Sequence, residues 1–245
     1  MYNFEYYTPT FIEFGKKSEE KVAQLIKAQN GKKVLIHYGG HSAKKSGLID
    51  KIEKLLTEEN ISYVELGGVV PNPRLSLVYK GIELAKKENV DFILAVGGGS
   101  VIDSAKAIGY GIANEGDVWD FYAQKRVTDK CAPVGVVLTI AAAGSEMSNS
   151  SVITNDETGL KRSYHTEISR PRFAIMNPEF TMTLPEYPMI FTMCVAFFAV
   201  HGGDPFAARE LALAYLSVYV LMYATGPGLY AADTLIARHL PKPRR

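Results

Sequence analysis

Cysteine, tryptophan and net charge are what this chain of 245 residues has least of: two cysteines, one tryptophan, and 27 Lys plus Arg against 26 Asp plus Glu. Cys131 and Cys194 are too few for a disulfide framework and fit no metal or redox spacing. The charge balance provides no basic field, which argues against a nucleic-acid partner and against an anionic membrane surface. The opening Met1-Tyr2-Asn3-Phe4-Glu5 lacks the charged and apolar regions of a signal peptide, so a cytoplasmic location is expected. The length suffices for a substantial core, and no internal repeat is present.

What is there is alternation. From about residue 33, short β-branched runs take turns with longer amphipathic ones: strands over Lys33–Tyr38, Ile61–Leu66 and Phe92–Val96, and helices over Ser46–Glu58, Arg74–Glu88 and from the next turn to about Asn114. Strand, helix, strand at these lengths predicts parallel strands with right-handed crossovers, hence an α/β fold with a doubly wound, mostly parallel sheet. Pro133–Ile140 reads as another buried strand. Ser151–Asn155, Leu160–Tyr164 and Arg172–Met176 read as shorter ones, the first two joined as a hairpin by Asp156-Glu157-Thr158-Gly159.

The most informative stretch is Ala95-Val96-Gly97-Gly98-Gly99-Ser100-Val101-Ile102-Asp103-Ser104-Ala105-Lys106, which ends a strand and opens a helix. Glycines allow close backbone approach, and free amides at a new helix N-terminus attract an anion, so the turn is a candidate pyrophosphate seat. The plainer alternative is a strand-to-helix turn capped by Ser100. Gly39-Gly40 also follows a strand, which predicts both turns on one sheet edge, within reach of a single ligand.

Several motifs occur in one order: Thr8-Pro9-Thr10-Phe11-Ile12-Glu13-Phe14-Gly15, Gly39-Gly40-His41-Ser42, Val70-Pro71-Asn72-Pro73, Gly97-Gly98-Gly99-Ser100 with Asp103 and Lys106, and Thr139-Ile140-Ala141-Ala142-Ala143-Gly144-Ser145-Glu146. That order, to about Tyr187, resembles the iron-containing (group III, metal-dependent) alcohol dehydrogenase family, most closely its butanol dehydrogenase branch. The resemblance implies a dinucleotide-binding α/β domain (1–185) ahead of an all-helical metal domain; the tail departs from it, and 186–245 is expected as a helical segment, a truncated or altered remnant of that domain. The resemblance also implies an oxidoreductase that interconverts short or medium aliphatic alcohols and aldehydes with a nicotinamide cofactor and a divalent metal, iron or zinc. Carried over by resemblance, Gly97, Gly98, Gly99 and Ser100 hold the pyrophosphate and Asp103 faces the nicotinamide end. Thr139 and Ser145 line the diphosphate and nicotinamide side, Asn149 and Lys161 stand near the nicotinamide ribose, and Asn72 borders the cleft.

Cofactor choice has a physical argument. A carboxylate on the adenosine ribose selects NAD and repels a 2′-phosphate. The turn expected at that ribose carries Gly39, Gly40, His41 and Ser42, with Lys44 and Lys45 behind them and no acid, which favours NADP(H) over NAD(H). The metal ligands are not found. In the family an Asp and a His one helical turn later begin the metal site, and the corresponding positions here are Val195 and Ala199, which cannot ligate. His37 and His41 straddle a strand end and a glycine turn, and the spacing of His201, Asp204 and His239 matches no metal motif.

After Pro185 the composition changes: 17 of the 18 lysines precede residue 162, and Leu211–Ala232 carries no charge. Gly226-Pro227-Gly228 interrupts that run, which favours a core-packed helix over a membrane span. The alternative function is therefore a catalytically inactive nucleotide-binding fragment without the metal site. A homo-oligomer is compatible with the sequence.

Overall fold

In the computed structural model of the chain, residues 8–40 and 42–183 are described. Six strands form one parallel sheet: β1 (Phe11–Phe14), β2 (Lys33–Gly39), β3 (Ser62–Val69), β4 (Phe92–Gly97), β5 (Val134–Leu138) and β8 (Phe173–Met176). Their spatial order is β1-β8-β5-β4-β2-β3, and β6 (Ser150–Thr154) and β7 (Lys161–His165) make a separate antiparallel hairpin. The helices are α1 (Val22–Ala28), α2 (Ser42–Lys45), α3 (Leu48–Glu58), α4 (Leu75–Lys87), α5 (Gly99–Ala113) and α6 (Trp119–Tyr122).

The central strands are apolar along their whole length because both faces are covered. Leu35, Ile93, Ala95, Val136 and Ala174 point to the core shared with α4 and α5, while Val34, Ile36, Phe92, Leu94, Val137 and Ile175 point to the core shared with α1 and α3. This period-two division between two helix layers is the doubly wound architecture expected from the alternation. On the second face Phe92 stacks on Phe173 at 5.8 Å, across β5. The stack needs glycine at 135, where a Cβ would lie 2.3 Å from the Phe173 ring.

Strand β1 and helix α1 fall outside the alternating region and carry no clear periodic signal. Phe11, Ile12 and Phe14 are exposed on an edge strand, so β1 shows no hydrophobic-in, polar-out pattern. Helix α3 begins at Leu48, with the separate turn α2 before it, where a single helix from Ser46 was expected. The expected 186–245 segment, with Val195, Ala199 and Leu211–Ala232, lies outside the described residues. Among the described residues no helix is long and apolar enough to cross a membrane.

Where the strand order reverses, the chain leaves β2 for β3 on one side and later leaves β4 for β5 on the other. The crevice beyond the carboxyl ends of β2 and β4 is thus the topological switch point, where open α/β sheets bind ligands. Tyr38 pairs with Val96, and Gly97 with Leu138, so Gly39, Gly97 and Thr139 emerge side by side on that edge.

Under this edge His37 is fully buried, its Nδ1 2.8 Å from the Leu66 carbonyl and its Nε2 2.9 Å from Ser104 Oγ, which links β3, β2 and α5. Burial lowers its pKa from 6.5 to about 4. The unfolded chain takes up this proton as pH falls through 6.5, whereas the native chain resists until about 4, so stability is lost across that window and levels off below it. The imidazole contribution amounts to about 3 kcal/mol at most. Denaturant unfolding between pH 7 and 4 should therefore fall more steeply for the natural chain than for His37→Gln; parallel curves would contradict the assignment.

Candidate nucleotide-binding site

The turn after β4 is built for close approach. Helix α5 starts at Gly99, with Gly98 as its N-cap in an extended conformation and no side-chain cap, so Ser100 lies inside the first turn and does not cap it. The Val101 and Ile102 N–H groups donate to the Gly98 carbonyl. The Gly99 and Ser100 amides precede the first intrahelical bonds and have no acceptor within the helix, so the dipole's positive end faces the crevice. None of Gly97, Gly98 and Gly99 adopts a positive φ. Glycine is needed here for space: a Cβ on Gly97 would lie 2.5 Å from Val101 Cγ2, and one on Gly98 2.5 Å from Ile140 Cγ2.

The wall opposite the turn comes from the segment after β5. The Thr139 N–H donates to the Gly97 carbonyl at 3.1 Å, carrying the ladder one residue past the strand. Ser145 is buried, with its Oγ 3.3 Å from where a Gly99 Cβ would sit. What holds this segment is Lys106 on α5. Its Nζ donates to the carbonyls of Ser145, Ser148 and Ser150, each at 2.8 Å, and the residue is fully buried. Burial pulls its pKa down to about 8, against the opposing charge of Asp103.

Asp103, one turn before Lys106, accepts from the Val152 N–H at 3.1 Å through Oδ2 and so docks hairpin strand β6 onto α5. Its Oδ1 is buried without a hydrogen-bond partner among the described residues. Burial raises its pKa, and the Lys106 charge opposes that shift. The hairpin brings in the remaining expected residues. Lys161 Nζ donates to Asn72 Oδ1 at 2.7 Å, Asn72 having the left-handed φ of 59°. The Thr154 N–H donates to the Pro73 carbonyl, and Asp156 accepts from the Ser76 N–H at the start of α4. Asn149 is tied away by its amide to Glu167 at 2.6 Å.

Gly39, Gly40 and Ser42 thus lie at the end of β2, with Gly97–Ser100, Thr139 and Ser145 beside them, while Asn72 and Lys161 pair with each other and Asn149 turns toward Glu167. A carboxylate from a neighbouring strand reaches the lysine behind the β2 turn. Glu65 on β3 accepts from Lys44 Nζ at 2.9 Å and from the Tyr38 hydroxyl at 2.8 Å. Helix α3 separates Glu65 from the turn in sequence; β3 pairs with β2 so that Glu65 lies opposite Ile36, within reach of the Tyr38 and Lys44 side chains.

No metal centre is assembled among the described residues, where no group of three His, Cys, Asp or Glu could hold an ion. Both nitrogens of His37 are engaged. His41, His201, Asp204 and His239 lie outside the described residues. Cys131 is half-buried, and desolvation pushes its thiol up to about 12, which disfavours the thiolate.

The model of the iron-containing alcohol dehydrogenases matches residues 9–178. The chain belongs to that family. It is 48% identical over 193 residues to a probable NADH-dependent butanol dehydrogenase of Bacillus subtilis, covering 79% of this chain and 49% of that protein. It is 37% identical to an NADPH-dependent aldehyde reductase of Escherichia coli, covering 76% and 48%. Among solved structures, an NADH-dependent butanol dehydrogenase A from Thermotoga maritima superposes with a TM-score of 0.80 at 38% identity, covering 90% of this chain and 56% of that one. The chain spans about half the length of the curated relatives it matches.

Lys106→Met would strip three carbonyls of their shared donor. Urea unfolding should show a loss of about 2–4 kcal/mol. An unchanged midpoint would mean that the segment Ser145–Ser150 is held by something else.

Proposed function

We propose that the chain binds a nicotinamide dinucleotide across the ends of β2, β4 and β5 and serves hydride transfer between short or medium aliphatic alcohols and aldehydes. The observation that carries this reading is the Gly97–Ser100 turn, whose first-turn amides have no acceptor among the described residues and face the switch-point crevice with Thr139 and Ser145 across from them. In this reading the amides bind the diphosphate, and the helix dipole meets its charge. Asp103 is a buried carboxylate with Ser145 beside it, and its Oδ1 suits an N–H on the nicotinamide side. The Asn72–Lys161 pair borders the cleft with a cation that the nicotinamide ribose hydroxyls can share. The nicotinamide supplies the hydride chemistry, and the protein's part is to bind and orient it. The described residues do not fit the family's metal, so no step is assigned to one.

NADP(H) is the proposed preference. The β2 turn itself contains no carboxylate, and Lys44 and Lys45 follow it. The named relatives include both an NADH-dependent and an NADPH-dependent enzyme, so the turn's own chemistry is what supports the choice. A homo-oligomer and a cytoplasmic location remain compatible with this reading.

Calorimetric titration with NADPH and NADH, beside NADPH-dependent butanal reduction with added zinc or ferrous iron, tests it. Binding of both nucleotides with NADPH tighter, and turnover, is expected. Tighter NADH binding would overturn the preference, binding without turnover would leave a nucleotide-binding fragment, and no binding would overturn the reading.

A further inference from the structure

The Lys44 ammonium is already claimed. Its Nζ and the Tyr38 hydroxyl converge on one oxygen, Oε2 of Glu65, at 2.9 and 2.8 Å, and Nζ also lies 5.5 Å from the Tyr38 ring centroid. The arrangement depends on Gly67: a Cβ there would lie 2.5 Å from the Tyr38 ring, so only glycine lets the ring lie across β3 and reach Glu65. Glu53 on α3 adds a second carboxyl at Glu65, and burial followed by this contact raises the Glu53 pKa. Lys44 is therefore paired with Glu65, and the β2 end is less positive than its two lysines suggest. The pair is half-exposed, at 51% and 30% for the two side chains, and an ion pair so open to water is weak enough for a phosphate dianion to compete with it.

We propose that Glu65 is a positioning residue that sets discrimination between nucleotides with and without a 2′-phosphate, by competing with that phosphate for Lys44. This rests on the reading that the adenosine ribose lies at Gly39–Ser42. A nucleotide without the phosphate leaves the Lys44–Glu65 pair intact and is indifferent to it. A 2′-phosphorylated one must draw Lys44 away from Glu65 and tolerate a freed carboxylate nearby, so its affinity is reduced by the strength of that pair. The acid acts through the lysine and not by contact with the ribose.

The test is a set of calorimetric titrations of the full chain with NADPH and with NADH, for the natural sequence, Glu65→Gln, Lys44→Met and the double variant. Glu65→Gln should tighten NADPH roughly 3- to 10-fold and leave NADH unchanged. Lys44→Met should weaken NADPH alone, and the gain from Glu65→Gln should vanish in the double variant. Equal shifts for both nucleotides, no shift, or a gain that survives without Lys44 would overturn the inference while leaving nucleotide binding in place. Failure of both nucleotides to bind any of the four proteins would overturn the ribose placement and this inference with it.

Discussion

One buried ammonium organises the crevice at the topological switch point. Lys106 sits on the helix that starts at the glycine turn and reaches three carbonyls of the segment that faces that turn. A fully buried lysine is costly, and the cost is offset only because three well-placed acceptors replace its water. The same contacts leave Ser145 against Gly99 and start β6 at Ser150, from which Val152 reaches Asp103. Turn, wall and hairpin are therefore fastened to one element, α5, two of whose side chains fix everything on its crevice-facing side.

Space, more than backbone freedom, explains the glycines that matter. Gly98 admits Ile140, Gly67 admits the Tyr38 ring, and Gly135 admits Phe173, none of them at positive φ. In each case a neighbouring side chain occupies the volume where a Cβ would stand. These close approaches bring the segment after β5 against the Gly97–Gly99 turn and Tyr38 against Glu65, so they shape the crevice as directly as its polar groups do.

Much of this was legible in the sequence. The parallel sheet, the hairpin and the shared edge of Gly39-Gly40 and Gly97–Gly99 follow from period-two and helical patterning, because both core faces demand apolar residues at fixed intervals. Strand β1 was not legible, since an exposed edge strand carries no alternation. Lys106 was visible as part of a motif, but its three carbonyl partners lie about 40 residues away and appear only in the fold. Glu65 was hidden for the same reason: a turn read in chain order contains no acid, and the neighbouring strand supplies one. Asn149 was placed near the ribose by resemblance, and in the fold its amide is taken by Glu167.

The central claim is that the first-turn amides of α5 grip a nucleotide's diphosphate. Hydrogen exchange at single-residue resolution, with and without saturating NADPH or NADH, reads those amides directly. Slowed exchange at Gly98–Val101, strongest at Gly99 and Ser100, is the predicted result. Nucleotide binding that leaves these amides exchanging at their free rates would place the diphosphate elsewhere and contradict the account.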